Sequence, residues 1–211
     1  MSAAQAAARL RGLFGWAGPA AAGSAPALIL LSGLPGTGKS YLAAAIAARH
    51  PAIVVRSDEI RKALYPQPRY TSRENGFVYL TCYALLDRLL ADGYTVVFDA
   101  TNLTRDARKR ARTIALQAGA PSLTLLTVAP PALVAQRLRR RSAGQDEAYA
   151  SDADWDVHEK LAATVEAMNA AHEPYVLVDT SMDCAPVLAL VDKFLDRVRC
   201  PGPAGEEQKA S

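Results

Sequence analysis

The segment with the clearest chemistry runs from Gly33 to Ser40 and has the sequence GLPGTGKS. It matches the pattern GxxxxGK[ST] in full, and it lies between an apolar run that predicts a strand and the stretch 41–49 that predicts a helix. Glycines let the backbone wrap around an anion with its N–H groups pointing inward, and the helix that follows adds its positive N-terminal end. The segment therefore predicts a loop that binds the phosphates of a nucleoside triphosphate.

Nine consecutive residues are the candidate nucleotide-binding residues. They are Gly33, Leu34, Pro35, Gly36, Thr37, Gly38, Lys39, Ser40 and Tyr41. In this motif the lysine reaches the β- and γ-phosphates, and the hydroxyl of the last residue ligates Mg²⁺. ATP and Mg²⁺ are therefore the expected cofactors, Lys39 is also a candidate catalytic residue, and Ser40 is a candidate metal ligand.

A carboxylate and an arginine follow the second predicted strand. Asp58 and Arg61 are three residues apart, so they share one face of a helix. A carboxylate at the end of a strand beside the phosphate loop can accept the proton of an acceptor hydroxyl, which makes Asp58 a candidate catalytic residue. Arg61 can hold an anionic group of the substrate or orient the carboxylate. The alternative is that Ser57 or Asp58 only caps the helix that begins there.

The third predicted strand ends at Asp99, and Thr101 and Asn102 follow in a turn. Asp99 is a candidate for holding Mg²⁺ through water or for orienting the acceptor, and capping of the turn is the alternative. Thr101 and Asn102 are turn-forming residues with a weaker case for contact with the substrate. Asp99 is not followed by the glutamate that polarises water in many ATPases, which favours transfer to an acceptor over hydrolysis.

Arginines cluster after the fourth predicted strand. The helix predicted over 131–141 carries Arg137 and Arg141 on one face, at positions i and i+4. A small, polar stretch and a new helix near Trp155 follow, which predicts a lid over about residues 137–155. An arginine of a closing lid can neutralise charge on a transferred phosphoryl group. The alternative is a solvated basic helix end, which the helix dipole favours.

Two further basic segments have less specific patterns. Residues 62–76 hold Arg69 and Arg73 beside two tyrosines, a mixture that suits a polar or planar acceptor and equally a mobile surface loop. Residues 105–112 read RDARKRAR, and their charges point away from the apolar stripe of the predicted helix. That pattern predicts a solvated face. The three histidines have no metal-ligand spacing, and we assign them no role.

The elements that must position these residues alternate between short apolar runs and helical stretches. The predicted strands are Ala27–Leu31, Ala52–Val55, Tyr94–Phe98, Leu123–Val128 and Tyr175–Val178. They are continuously apolar, which is typical of strands buried on both faces of a parallel sheet. The expected fold class is therefore α/β, a three-layer sandwich in which ligands bind at the carboxyl ends of the strands.

The composition fits one globular domain. The chain has 211 residues, of which 50% are hydrophobic, so it can bury a substantial core. Residues 1–57 hold five basic residues and no acid, which leaves 19 basic and 21 acidic residues over 58–211. A net charge of −2 over that part argues against charge-driven binding of nucleic acid. Three widely spaced cysteines disfavour a disulfide scaffold and a structural metal site, and they indicate a reducing compartment, for which we expect the cytoplasm.

Both ends are expected to be flexible, around a single domain over residues 26–200. Residues 1–25 are rich in Ala and Gly and lack acids, which predicts a flexible extension, with an organelle transit peptide as the alternative. Residues 201–211 read PGPAGEEQKAS, which predicts a disordered tail. No apolar run approaches the ~20 residues that a membrane-spanning helix needs, and no motif for a protein partner is evident.

In chain order, the motifs GLPGTGKS, RSDEIRK, VVFDATN, RLRRR and SDADW resemble those of small P-loop kinases. These kinases include the kinase domain of polynucleotide 5′-kinases, chloramphenicol phosphotransferase and the zeta-toxin sugar-nucleotide kinases. The sequence looks closest to the bacterial kinases grouped as AAA-family ATP-binding proteins. The resemblance covers about residues 27–180. It implies the fold of P-loop NTPases, with a parallel five-stranded sheet in the order 2-3-1-4-5 and a helical lid.

The resemblance also implies roles for single residues. Asp58 resembles the general base of the family, and Arg61 resembles the arginine that binds the acceptor. Asp99 is similar to the aspartate at the strand end that supports the site, and an arginine within 137–141 resembles the lid arginine on the phosphates. The chain has no room for the phosphatase domain of polynucleotide repair enzymes. A nucleic-acid acceptor is therefore possible but less favoured than a small molecule.

The expected function is that of a phosphotransferase that uses ATP and Mg²⁺ and acts on a hydroxyl of a small molecule. One alternative is a polynucleotide 5′-hydroxyl kinase. Another is an ATP-binding switch or ATPase that has no acceptor. Asp58, Arg61 and a lid together favour the kinase, because a plain switch needs none of them.

Overall fold

The computed structural model describes residues 1–16, 20, 25–143 and 153–200. The strands are β1 (Ala27–Ser32), β2 (Ala52–Arg56), β3 (Thr95–Asp99), β4 (Ser122–Val128) and β5 (Val176–Asp179). The helices are α1 (Ala3–Leu13), α2 (Lys39–Arg49), α3 (Ser57–Leu64), α4 (Ser72–Ala91), α5 (Arg105–Gln117), α6 (Pro131–Ser142), α7 (Trp155–Ala162) and α8 (Ala185–Arg199).

The strands form one parallel sheet in the order β2-β3-β1-β4-β5. This confirms the expected fold class and strand order, and every predicted strand lies within about one residue of the observed bounds at each end. All residues of β1 are buried, which explains why its sequence is apolar without alternation. Because β1 is the central strand, the segment that follows it lies at the middle of the carboxyl edge of the sheet.

Two helical layers cover the sheet. Residues of α1, α3, α4 and α5 form one buried apolar cluster with Leu28 and Leu30 of β1. Residues of α2 and α8 form a second cluster with Ile29 and Leu31. Successive side chains of a strand point to opposite faces, so one apolar strand supplies both cores. The three-layer sandwich is therefore confirmed.

The starts of α5, α6 and α7 fall where the sequence predicts them. Helix α5 begins after Thr104, whose hydroxyl accepts a hydrogen bond from the backbone N–H of Ala107 at 3.3 Å. Helix α6 begins at Pro131, and α7 begins after Asp154, whose side chain caps it. The segments between strands and helices therefore collect at one edge of the sheet.

The prediction of a flexible N-terminal extension is wrong for residues 3–13, which form α1. Ser2 caps this helix through a reciprocal capping box with Gln5, and the Nη1 atom of Arg11 lies 2.6 Å from the Oδ2 atom of Asp92. The helix packs against α4 through buried Ala6, Ala7 and Leu10. The small side chains that made the segment look featureless are what allow its close packing.

The prediction of a solvated face over 105–112 is wrong for Arg108, which is 1% exposed. Its Nη2 atom lies 2.8 Å from the Oε2 atom of Glu173, and its Nη1 atom donates to the carbonyl of Leu103 at 2.7 Å. Arg112 pairs with the same carboxylate at 2.9 Å. Burial would raise the pKa of Glu173, but its hydrogen bonds with the two arginines outweigh burial and lower that pKa. The cluster ties α5 to the segment between α7 and β5.

Two predictions fall outside the described residues, namely the disordered tail over 201–211 and the middle of the lid over 144–152. Within the described part of the chain, no helix is long and apolar enough to span a bilayer.

Candidate functional site

The phosphate loop, residues 33–40, turns sharply between β1 and α2. Gly36 and Gly38 have φ values of 82° and 87°, a region that favours glycine. A Cβ atom on Gly36 would lie 2.8 Å from the Cγ1 atom of Val134, and one on Gly38 would lie 2.8 Å from the Oγ1 atom of Thr180. The loop is therefore a cradle formed by backbone, in which larger residues do not fit.

Two threonines hold the loop in place. The Thr37 hydroxyl donates to the carbonyl of Leu34 at 2.7 Å and lies 2.7 Å from the hydroxyl of Thr127 on β4. The Thr180 hydroxyl, just beyond β5, donates to the carbonyl of Thr37 at 2.8 Å. Sequence analysis missed Thr180, because its contact spans 143 positions of the chain and no local motif marks it. Its position just after an apolar strand was the available signal.

Lys39 lies half-buried at the start of α2, and its Nζ atom donates to the carbonyl of Leu34 at 2.9 Å. The pKa of Lys39 is lowered to about 8, chiefly because burial disfavours the charged amine; the charges of Asp99 and Asp58 oppose this shift, and the positive charge of Arg141 adds to it. These charges act on one amine because the four side chains line the same cleft. The predicted residues Lys39, Asp58, Asp99 and Arg141 are thus brought together.

The two predicted lid arginines face the phosphate loop from α6. The Nη1 atom of Arg137 donates to the hydroxyl of Thr180 at 2.8 Å, and its Nη2 atom donates to the carbonyl of the same residue at 2.8 Å. The Nε atom of Arg141 is buried and has no hydrogen-bond partner among the described residues. A buried donor without a partner is costly, and a phosphate oxygen is a suitable acceptor for it.

Helix α7 also contacts the phosphate loop. The Nδ1 atom of His158 lies 2.9 Å from the carbonyl oxygen of Pro35, and the indole of Trp155 stacks on the imidazole with ring centroids 5.0 Å apart. Sequence analysis assigned no role to His158, since a contact across 123 positions leaves no local pattern. The contact places the second helix of the expected lid against the loop.

The predicted acids lie at the ends of neighbouring strands. Asp99 ends β3 and is 3% exposed, and its Oδ2 atom accepts from the Nε atom of Arg56 at 2.9 Å. The sheet register sets this pair, because Arg56 on β2 lies directly opposite Asp99. Burial would lower the pKa of Arg56, but its contacts with Asp99 and Glu59 outweigh burial and raise that pKa. Asp58 lies in the first turn of α3 and lines the cleft.

Arg61 is buried one turn after Asp58. Its Nη1 atom lies 2.9 Å from the Oε1 atom of Glu74, its guanidinium lies 4.7 Å from the centre of the Tyr70 ring, and its Nε atom has no partner among the described residues. Burial would raise the pKa of Glu74, but hydrogen bonds from the backbone N–H of Arg69 and from Arg61 lower it. Glu74, which sequence analysis missed, therefore fixes Arg61 in the wall of the cleft.

The residues with a weaker case for contact with the substrate lie in different places. Thr101 lines the cleft, and its hydroxyl lies 3.0 Å from that of Tyr79. Asn102 is fully buried, and its Nδ2 atom donates to the carbonyl of Leu31 at 2.7 Å, so it ties the β3 turn to β1 instead of facing the cleft. Arg69 and Arg73 are exposed and do not line the cleft.

A cleft of about 1200 Å³ joins these residues at the carboxyl edge of the sheet. The predicted residues that line it are Pro35, Gly36, Gly38, Lys39, Ser40, Tyr41, Asp58, Arg61, Asp99, Thr101, Arg137 and Arg141. Gly33, Leu34 and Thr37 belong to the loop but not to this lining. We call the part formed by the phosphate loop, Arg137, Arg141 and Thr180 the loop side. The tyrosine side is formed by Asp58, Arg61, Tyr70, Tyr79, Tyr83, Arg110 and Lys160.

The residues of the cleft fit the two groups that the GxxxxGK[ST] motif implies, which are a nucleotide and Mg²⁺. The glycine cradle and the unpartnered Nε atom of Arg141 suit the phosphates of a nucleotide. The Ser40 hydroxyl and the Asp99 carboxylate both line the cleft, and oxygen ligands of this kind suit Mg²⁺. Within the described residues no group of three or more His, Cys, Asp or Glu side chains forms a metal site. Mg²⁺ commonly binds through one or two protein ligands together with substrate phosphates, so two oxygen ligands are sufficient.

Comparison with solved structures gives the same fold. Kti12 from Chaetomium thermophilum, in complex with ADP-AlF3, is 21% identical over 81% of this chain and 98% of that one, with a TM-score of 0.60. A gluconokinase from Sinorhizobium meliloti 1021 is 22% identical over 82% and 94%, with a TM-score of 0.55. The Mycobacterium tuberculosis APS kinase CysC, in complex with AMPPNP and APS, is 16% identical over 82% and 99%, with a TM-score of 0.56.

No curated protein matches the sequence. The family described as "AAA domain" matches residues 28–183, which span β1 to the turn after β5 and include all the predicted site residues. The match covers more than half of the chain, and the structural neighbours carry the fold of P-loop kinases. The chain therefore belongs to this AAA domain family, as a member with the fold of the small P-loop kinases.

Proposed function

We propose that this protein is a kinase that transfers the γ-phosphoryl group of ATP to a hydroxyl of a small molecule, with Mg²⁺ as the metal. The observation that carries the proposal is the juxtaposition of Lys39 and Asp58 in one cleft, close enough for the carboxylate charge to act on the amine. A phosphate-binding loop alone fits hydrolysis as well as transfer. Asp58 lies beside this loop, in the first turn of α3, where the cleft continues into the tyrosine side. A carboxylate in that place fits transfer to an acceptor.

The loop side supplies the groups that hold the donor. The backbone cradle and Lys39 bind the phosphates, and the guanidinium of Arg141 stabilises the negative charge that develops on the transferred group. Arg137 holds Thr180 and thereby the loop, as its two hydrogen bonds indicate. Ser40 and Asp99 would hold Mg²⁺, which would supply neutralisation of the phosphate charge.

The tyrosine side supplies the groups that hold the acceptor. Asp58 takes the proton of the acceptor hydroxyl while the hydroxyl oxygen forms its bond to the γ-phosphorus and the bond from that phosphorus to the bridging oxygen of ADP breaks. Thr101 and Tyr79 offer hydroxyls next to this point, and Arg61 is fixed by Glu74 one turn away. Contact of α7 with the phosphate loop supports closure over both compartments, which excludes water from the reaction.

The test is ADP formation from Mg²⁺·ATP with pooled sugars, nucleosides, sugar acids and phosphorylated alcohols as acceptors. We expect at least one pool to accelerate ADP formation by the wild type. Asp58→Asn should lose that acceleration and keep its affinity for AMPPNP, because the carboxylate acts on the acceptor and not on the nucleotide.

Asp87→Asn is the matched control, since Asp87 is an exposed residue of α4 outside the cleft. It should retain the acceleration in full. Equal acceleration in Asp58→Asn would refute the role of Asp58. Tight nucleotide binding without acceleration by any pool would favour a nucleotide-binding switch.

A further inference from the structure

Arg110 is a residue of the basic run 105–112 for which the proposed function has no use. It lies on α5, lines the cleft, and its guanidinium lies 4.8 Å from the centre of the Tyr83 ring. Arg108 and Arg112 of the same helix pair with Glu173. Arg110 makes no ion pair with any described residue. Of the arginines on this helix, it is the one that lines the cleft.

Tyr83 is a rigid platform for this guanidinium. Its ring contacts Phe98 edge-on with centroids 6.1 Å apart, and its hydroxyl lies 3.4 Å from the carbonyl of Ala107 on α5. Burial raises the pKa of Tyr83 well above its usual range, so the ring stays neutral. A guanidinium that rests on an aromatic face keeps its N–H edge open and loses little further freedom when it binds an anion.

A second cation, the exposed side chain of Lys160, lines the same cleft from α7. The cleft-lining residues of this helix are Val157, Lys160 and Leu161, which are spaced as one helical face. Lys160 is thus the charged residue of an otherwise apolar face, and it makes no ion pair with any described residue.

The acids of the tyrosine side do not cancel these charges. Glu74 is committed to Arg61, and Asp58 lies at the loop-side end, where its charge acts on Lys39. Asp106, one turn before Arg110, also lines the cleft, but no ion pair joins the two side chains. Arg110 and Lys160, which have no carboxylate partner among the described residues, therefore line the cleft together with Asp106.

The size of the cleft leaves room for a second ligand. Its volume of about 1200 Å³ exceeds the roughly 300–1,000 Å³ of a typical small-molecule site. The phosphate loop and the arginines of α6 form the loop side of the cleft, and Arg110 and Lys160 belong to the tyrosine side.

We propose that Arg110, together with Lys160, binds an oxyanion group of the acceptor, so that the acceptor is a hydroxyl compound that also carries a phosphate or a carboxylate. This inference rests on the proposed kinase function, because only a kinase has an acceptor. The binding of an anion to Arg110 and Lys160 is tested separately, without turnover. A neutral sugar would leave both cations without a partner, whereas an anionic acceptor is held at one end by Arg110 and presents its hydroxyl to Asp58 at the other.

The first experiment measures anion binding directly. The protein is saturated with Mg²⁺·AMPPNP so that the phosphate loop is filled, and inorganic phosphate is then titrated while the melting temperature and the ¹⁵N side-chain signals of arginine are followed. We expect saturable stabilisation and a shift of the Arg110 signal in the wild type. Arg110→Met, which keeps an apolar contact with Tyr83, should lose both effects.

Lys109→Met is the matched control, because Lys109 is the exposed neighbour of Arg110 on the same helix and does not line the cleft. It should bind phosphate as the wild type does. Equal phosphate binding by Arg110→Met and the wild type, or no saturable binding to the wild type, would overturn the anion site whether or not the protein is a kinase.

The second experiment uses acceptors in matched pairs, in which a neutral hydroxyl compound is compared with its phosphate monoester and with its carboxylate. We expect the anionic member of a pair to accelerate ADP formation, and Arg110→Met to raise its KM by about tenfold or more with the KM for ATP unchanged. The two anionic members distinguish a phosphate from a carboxylate.

A preference for neutral members, with activity still dependent on Asp58, would refute the anionic acceptor and leave the kinase standing. Phosphate binding at Arg110 without acceleration by any member would refute the kinase and leave the anion site standing.

Discussion

The two sides of the cleft are built by different means. On the loop side, backbone groups of eight consecutive residues make the binding surface, and glycines with positive φ allow its shape. On the tyrosine side, side chains from α3, α4, α5 and α7 make the surface, and long-range pairs such as Arg61 with Glu74 hold them. The phosphate loop itself is therefore a local structure, to which packing adds Arg137, Arg141 and Thr180, whereas the tyrosine side exists only after the helices have packed.

This difference matches what each side must recognise. Phosphates look alike in every nucleotide, and a backbone cradle binds them without regard to side chains. An acceptor is recognised by its own chemistry, and side chains from several helices can be changed one at a time to suit it. Changes on the tyrosine side, other than at Asp58, should therefore alter the acceptor, and changes on the loop side should abolish the reaction with every acceptor.

The largest expected effect concerns the pair that anchors α5. Arg108→Met should lower the free energy of unfolding by about 3–5 kcal/mol, because it leaves the buried carboxylate of Glu173 with Arg112 alone. Urea denaturation measures this change. The double variant Arg108→Met, Glu173→Leu should recover much of the loss, and Arg105→Met, at an exposed position of the same helix, should be close to wild type. A single variant as stable as wild type would mean that the tyrosine side does not depend on this pair.

The next effect in size concerns Lys39. Lys39→Met should lower the rate of phosphoryl transfer by about 10²–10³, because it removes a charge placed at the phosphates. The rate constant under saturating Mg²⁺·ATP measures this change. Lys109→Met should retain the wild-type rate. A loss confined to one acceptor would contradict the separation of the two sides, since the loop side serves every acceptor.

The lowered pKa of Lys39 also predicts a pH dependence of nucleotide binding. With a pKa of about 8 in the free protein, the amine is charged below pH 8 and becomes neutral above it. Bound phosphates favour the charged form, so the Kd for AMPPNP should be lowest below pH 8 and should rise as the pH increases through 8. Calorimetry at several pH values measures this rise, and Lys39→Met should not show it. A Kd in the wild type that stays constant from pH 7 to 9 would contradict the assignment.

A smaller effect concerns the backbone of the loop side. Gly38→Ala should lower the free energy of unfolding by about 1–3 kcal/mol and weaken AMPPNP binding, because its φ is 87° and the new Cβ atom would lie 2.8 Å from the Thr180 hydroxyl. Gly12→Ala makes the same change in α1, where a Cβ atom meets nothing within 4 Å. It should raise the stability by about 0.5–1 kcal/mol. Thermal denaturation distinguishes the two signs, and a stabilised Gly38→Ala would contradict the tight cradle.

The smallest effect concerns a single hydroxyl on the tyrosine side. Tyr79→Phe removes the partner of the Thr101 hydroxyl, and it should lower kcat/KM for the acceptor by about two- to tenfold with an unchanged Kd for AMPPNP. Tyr175→Phe, just before β5 and outside the cleft, should change neither quantity. A weaker affinity for AMPPNP in Tyr79→Phe would show that the two sides are not independent.

The sequence predicted the phosphate loop almost completely, because the information for this loop is local. Eight adjacent residues identify the cradle, and the apolar runs place the strands within about one residue of their bounds. The same kind of pattern failed for Arg108. An arginine beside an apolar stripe is expected to face solvent, and the carboxylate that buries it lies 65 positions away. The sequence did not predict the roles of Thr180, Glu74 and His158 for the same reason. Each of them contacts a partner that becomes its neighbour only when the chain has folded.

The N-terminal helix is a different case, because its signal is local and was overlooked. Ser2 and Gln5 form a capping box three residues apart, a pattern that marks a helix start. The alanines that follow favour a helix and allow close packing on α4. Composition alone suggested a flexible segment, whereas the order of the same residues indicates a helix.

The fate of the γ-phosphorus tests the central claim most directly. ³¹P NMR of the full chain with Mg²⁺·ATP and a pool of anionic hydroxyl compounds follows that nucleus from ATP to its product. We expect a new phosphate monoester on one member of the pool, in the wild type and not in Asp58→Asn. Conversion of the γ-phosphate to inorganic phosphate alone, at a rate that the pool does not change, would contradict it.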